Sequence, residues 1–132
     1  MGNWTIKINE EHQIIETICD GILTGEEFLA ASESRNELSK KTGITKLLLD
    51  AEKIILDNSA TLGIYELAQK KYTDWSKTQK IKIAVVMPKH KPSQEMARFY
   101  ETVCLNRGHE VKVIHSRKDG IKWLNSFSEK YT

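Results

Sequence analysis

The sequence predicts an α/β fold. A mostly parallel, five-stranded mixed sheet, antiparallel at its N-terminal edge, is joined by four helices in the order β-β-α-β-α-β-α-β-α. Three observations carry this. Two short apolar segments near the start are separated only by the polar residues Asn9-Glu10-Glu11-His12. The nearly continuous apolar runs Leu47-Leu48-Leu49 and Ile83-Ala84-Val85-Val86-Met87 are of the kind buried on both faces of a parallel sheet. Segments with apolar residues every three or four positions alternate with those runs, as crossover helices do.

Trp4-Thr5-Ile6-Lys7-Ile8 alternates and predicts a strand over 4–8. Residues 14–19 form the second strand, stopped by Asp20-Gly21, and the short connection makes the pair an antiparallel hairpin. Thr24 with Glu27 three residues on is a capping box, so a helix opens there; it is expected to reach about residue 39, with Gly43 closing the segment. A buried strand follows over 46–50. Residues 51–60 mix apolar and turn-forming types and read as a connection. Leu62, Tyr65, Ala68, Tyr72 and Trp75 then give one apolar stripe, which predicts a helix over 59–75. The next strand spans 82–87 and is closed by Pro88. Ser93 is expected to open a helix whose stripe is Met96, Phe99, Tyr100, Val103 and Cys104, with Gly108 at its C-terminal end. Residues 110–115 are the fifth strand. Ser116 with Asp119 resembles a capping box for a last helix carrying Trp123, Leu124 and Phe127. No repeat, low-complexity tract or linker interrupts the chain, so residues 1–132 read as one domain.

Composition narrows the class. Of 132 residues, 39% are hydrophobic and 29% charged, which excludes a disordered chain, a collagen-like chain and a coiled-coil rod. No apolar run is long enough to span a bilayer, and the first residues do not follow the pattern of a secretion signal. The net charge of +2 hides an asymmetry: residues 1–76 carry −5 and residues 77–132 carry +7. A basic C-terminal half can attract a phosphate ligand, an acidic protein or a lipid surface, or can simply be a solvated face. No aromatic-rich RNA-binding sequence accompanies it, so nucleic acid is not an expected partner. Cys19 and Cys104 each sit in an apolar run without metal-ligand or redox spacing. They read as buried free thiols in a reducing, cytoplasmic setting, with a disulfide between them left open. No metal-binding motif is present, and His12 and His109 form no ligand pair.

Gly21-Ile22-Leu23-Thr24 leading into the first helix, Leu47-Leu48-Leu49-Asp50, Ile83-Ala84-Val85-Val86, and the passage from Val111 to Leu124 containing Lys122-Trp123-Leu124 come in an order that resembles the STAS fold of anti-sigma-factor antagonists. The resemblance is nearest to its SpoIIAA-like branch, small bacterial proteins compared in fold with CRAL-TRIO lipid-binding domains. It covers nearly the whole chain. Antagonists of this kind carry Asp-Ser-Ser-Gly-Leu-Gly where a partner kinase phosphorylates the first Ser. The corresponding stretch here is Asn58-Ser59-Ala60-Thr61-Leu62-Gly63: Ser59 falls on the phosphoacceptor, and Asn58, Ala60 and Thr61 depart from the pattern. The branch resemblance implies a binder of membrane lipids or of small apolar or anionic ligands.

Elementary geometry places a site outside the carboxyl ends of the parallel strands. Three segments are expected to meet there: Asp50 with the loop to Ser59, Pro88-Lys89-His90-Lys91, and His115-Ser116-Arg117-Lys118. Helix N-termini and basic side chains together would make a cationic crevice. Each candidate has a structural reading too. Asn58 or Ser59 can mark a phosphate position or merely cap a helix. Lys89, His90 and Lys91 can bind an anion or form a solvated loop. Asp50 can hold a ligand or accept backbone hydrogen bonds. Tyr65, Tyr72 and Trp75 can pack on the sheet or face a ligand or membrane as a lid helix, with Lys70 and Lys71 near anionic headgroups.

No nucleophile elbow, phosphate-binding Walker loop, dinucleotide glycine fingerprint or His-Glu-x-x-His motif is present, and the chain reads as non-enzymatic, with no cofactor. The leading expectation is a cytoplasmic binding module for a lipid-like or small anionic ligand, with weak peripheral membrane association. The alternative is a regulatory module that binds a kinase-type partner through Ser59. A homodimer through the exposed edge of the first hairpin is the third expectation.

Overall fold

The computed structural model describes residues 2–57, 81–106 and 110–126. They form strands β1 (Asn3–Asn9), β2 (Ile14–Leu23), β3 (Lys46–Leu56), β4 (Lys82–Val86) and β5 (Glu110–Ile114). Helices α1 (Gly25–Thr42), α2 (Lys91–Asn106) and α3 (Arg117–Leu124) complete the described residues. The five strands make one sheet in the order β1-β2-β3-β4-β5, with β1 antiparallel to β2 and every other pair parallel. The mixed sheet matches expectation. The described residues hold three helices, and the fourth, expected over 59–75, lies outside them.

Each parallel step moves one strand across, and α1 and α2 lie on the same face of the sheet. That is what successive crossovers of one hand require. This first face buries Ile15, Leu47, Leu49, Ile83, Val85 and Val111 under Phe28 of α1 and Tyr100, Val103 and Cys104 of α2. The opposite face buries Ile14, Leu48, Ala84, Val86 and Ile114 under α3, through Leu124, Ile121 and Trp123. Interior strands buried on both sides explain the unbroken apolar runs.

Local chemistry fixes the helix ends. Thr24 Oγ1 accepts from Glu27 N at 3.1 Å and Glu27 Oε1 accepts from Thr24 N at 3.0 Å, the full capping box. The helix runs three residues past the expected end, to Thr42, and Gly43 closes it with φ +78°. Gly120 lets α3 approach the sheet: a Cβ there would stand 2.8 Å from Leu48 Cδ1. The far end of α3 is held by Lys82, whose Nζ donates to the carbonyls of Trp123 (2.7 Å) and Ser126 (2.9 Å) and lies 4.5 Å from the centre of the Trp123 ring.

The largest departure from expectation is β3. Residues 51–56, expected as a connection, continue the strand, and β2 continues with it through Asp20-Gly21 to Leu23. Ile18 pairs with Asp50 and Asp20 with Lys53, so Ala51 and Glu52 together oppose Cys19 as a β-bulge. Beyond the bulge, β2 and β3 form a two-stranded arm that outruns β4 and β5.

Both cysteines are free and buried, which settles the open question of a bridge. Burial pushes the Cys19 thiol up to about 12, so it stays protonated and unreactive at neutral pH.

Candidate functional site

The carboxyl ends of β3, β4 and β5 do meet along one rim. Met87 N donates to Ile114 O at 2.8 Å, and Lys89 N donates to Glu52 O at 3.1 Å. The segments that carry Asp50, Lys89, His90, Ser116 and Arg117 therefore adjoin along this rim, and Lys91 opens α2 next in the chain, exposed. Asn58, Ser59, Tyr65, Tyr72 and Trp75 lie outside the described residues.

The rim is not the cationic crevice that the charge pattern suggested. Arg117 turns inward: its Nε donates to Glu16 Oε1 at 2.8 Å and its Nη2 to Glu16 Oε2 at 2.7 Å. Glu16, the third residue of β2, is fully buried and also accepts from Asn9 Nδ2 at 3.1 Å. The Arg117 guanidinium holds the Glu16 carboxyl below its ordinary range against the opposing effect of burial, and Glu16 raises Arg117 in turn. Lys89 Nζ pairs with Glu52 Oε1 at 3.0 Å; both are exposed, so the pair adds little stability.

Three further candidates, Ser116, Asp50 and His90, are also engaged. Ser116 is the N-cap of α3, its Oγ accepting from Asp119 N at 3.1 Å. Asp50 Oδ1 accepts from Glu52 N at 3.3 Å, bracing the bulge. His90 Nδ1 lies 2.8 Å from Ser93 Oγ.

Ser93 is a residue whose role the sequence did not reveal. The helix begins at Lys91, two residues before the expected cap, and Ser93 is fully buried. Its Oγ accepts from Leu56 N at 3.0 Å, joining the end of the arm to α2. Replacing Ser93 with Ala is expected to destabilise the fold by about 2 kcal/mol, because the buried Leu56 amide loses its acceptor. Urea unfolding of the two proteins measures this.

Among the described residues, two hollows flank the rim. One, of about 140 Å³, sits at the bulge and is lined by Ile18, Cys19, Asp20, Asp50, Glu52 and Lys53, a predominantly acidic set. The other, of about 20 Å³, lies under α1 and α2 and is apolar throughout, with Phe28, Leu49, Val85 and Tyr100 among its walls. The arm presents a third feature on the α3 side of the sheet: Ile22 and Ile55, paired across β2 and β3, are 52% and 37% exposed. Among the described residues no group of three His, Cys, Asp or Glu side chains could hold a metal ion, and no helix is long and apolar enough to cross a membrane.

No protein-family model matches the chain, and no curated protein matches it. Solved structures do. One is the crystal structure of an uncharacterized protein of the DUF3478 family with a SpoIIAA-like fold, from Shewanella loihica PV-4. It aligns with a TM-score of 0.55 at 17% identity, over 93% of this chain and 93% of that one. The chain thus has a SpoIIAA-like fold.

Proposed function

We propose that this chain is a non-enzymatic, STAS-type regulatory module that binds a protein partner at the carboxyl-end rim of its sheet. The observation that carries the reading is the arm. Two exposed isoleucines, Ile22 and Ile55, sit side by side on it, bordered by Asp20 and Lys53. An apolar centre with a charged border is the composition of a partner-binding patch. Ser59, the phosphoacceptor position of the resemblance, is the third residue after β3, so phosphorylation would add about −1.5 to −2 charges next to the arm in sequence.

The test is affinity capture from host lysate with the wild-type chain, Ile22→Asp and Ser59→Asp. Ile22 is exposed, so its replacement leaves the core intact. A protein retained by the wild type and released by both variants supports the reading. The same proteins on all three, or none on any, overturns it.

A second reading, an apolar or lipid-like ligand, draws on the apolar hollow between the helices and the sheet. Its volume of about 20 Å³ fits a single water, whereas a ligand pocket needs some 300 Å³ or more, so binding would require the site to open. An anionic headgroup would have to compete with Glu16 for Arg117 and with Glu52 for Lys89. Native mass spectrometry of the freshly purified protein, with a liposome sedimentation assay for peripheral attachment, tests this reading. A bare polypeptide mass and no liposome binding remove it.

A further inference from the structure

We infer that β1 is a self-pairing edge, and that two copies of this chain join β1 to β1 antiparallel, with the two-fold axis at Ile6, into one continuous sheet. The two edges of the sheet are treated differently. On β5, the outward amide of Val113 is occupied: it donates to Glu101 Oε2 of α2 at 2.6 Å. A side chain that fills an edge amide in this way blocks strand addition. Among the described residues β1 pairs only with β2, and no side chain caps its outer amides.

The sequence of β1 chooses its own partner. Side chains alternate, so Trp4, Ile6 and Ile8 share the face of α1 while Asn3, Thr5, Lys7 and Asn9 share the other. Residues directly opposite in an antiparallel pair must lie on the same face, so the axis of two identical strands has to fall on a residue. An axis at Lys7 would set two ammonium groups against each other. At Thr5 it would leave Ile8 and Asn9 unpaired. At Ile6 it pairs the whole strand: Asn3 with Asn9, Trp4 with Ile8, Thr5 with Lys7 and Ile6 with its own copy. This register sets Trp4 against Ile8, which is 38% exposed in the single chain, and it opposes no like charges. Aromatic with β-branched pairs are among the favourable cross-strand contacts. One seven-residue strand is a small interface, so association depends on concentration.

Thr5 is exposed and opposite Lys7 in this register, which gives a test with opposite signs. Sedimentation is run from about 1 μM to about 1 mM on the wild type, Thr5→Glu and Thr5→Lys. The wild-type mass is expected to rise from 15.2 kDa toward twice that value. Two new Glu–Lys pairs across the axis should lower the dimer dissociation constant about fivefold in Thr5→Glu, and two Lys–Lys pairs should raise it about fivefold in Thr5→Lys. Circular dichroism confirms that each variant is folded. A mass of 15.2 kDa at every concentration for all three proteins overturns the proposal, as does a dimer of equal affinity in all three, which would place the interface elsewhere.

Discussion

Replacing Tyr100 with Ala is expected to destabilise the fold by about 4 kcal/mol, the largest effect of any single substitution considered for this chain. Tyr100 is 2% exposed and lies in the cluster that joins α2 to the sheet. Its ring meets Phe28 of α1 edge-on, with centroids 6.1 Å apart and planes at 90°, so it also couples the two helices. It already borders the apolar hollow, and most of the other walls there are residues of the central strands, Leu49, Ile54 and Val85 among them, which the sheet's hydrogen bonds hold in place. Truncation therefore adds a cavity to the lost transfer energy of the ring. Tyr100→Leu keeps part of the fill and should lose about half as much. The enlarged hollow would be apolar and dry, the type of cavity that admits benzene. Urea unfolding with and without benzene reads both effects. A loss below about 1 kcal/mol, or no recovery with benzene, would show that the helices settle onto the sheet when the ring is gone.

How the sequence foretold the fold, and where it did not, follows from the reach of each signal. The centre of the sheet was legible because strands covered on both faces must be apolar at every position, as Leu47-Leu48-Leu49 and Ile83-Ala84-Val85-Val86 are. The first helix was legible because Thr24 and Glu27 satisfy each other locally. Residues 51–56 were not, for a specific reason. Up to the bulge the helix-side positions of β3 are odd-numbered: Leu47, Leu49, Ala51. After it they are even-numbered: Ile54, Leu56. A period-2 reading breaks at the point where Ala51 and Glu52 share one partner, and the segment then imitates a loop. The site failed differently. Counting lysines and arginines at strand ends found the right rim but could not see that Arg117 meets a carboxylate 101 residues earlier in the chain. One signal was available: Glu16 interrupts Ile14-Ile15 and Thr17-Ile18-Cys19, and a charge inside an apolar strand needs a partner. Arg35 is the same case on α1. It shares the inward stripe of Phe28, Ser32 and Ser39, is 1% exposed, and donates from Nε to Asn36 Oδ1 at 3.2 Å.

The Glu16–Arg117 pair yields the second large effect, and its size changes with pH. Arg117→Ala is expected to cost about 2–3 kcal/mol near neutral pH. The figure lies at or below the lower end for breaking a buried pair, because the Arg117 side chain is 46% exposed and water already screens it. What the substitution leaves behind is a carboxylate 1% exposed, with Asn9 as its remaining side-chain donor among the described residues. In the wild type the folded Glu16 titrates below its ordinary value of 4.5. Its contribution is therefore fully present above that value and is lost as the pH falls through the lower, folded one. In Arg117→Ala the guanidinium no longer opposes burial, so Glu16 shifts upward and protonation relieves the fold instead of weakening it. The stability gap between the two proteins should accordingly be widest near pH 7 and narrow steadily toward about pH 3. Glu16→Leu combined with Arg117→Ala should recover much of the loss, since it removes the stranded charge and restores apolar contact with the cluster of Ile14 and Leu48. Urea titrations of the wild type, the single and the double variant across that pH range decide the matter. A gap that stays constant with pH, or a double variant no better than Arg117→Ala, would mean that α3 is held by Leu124 and the close approach at Gly120 and not by this ion pair.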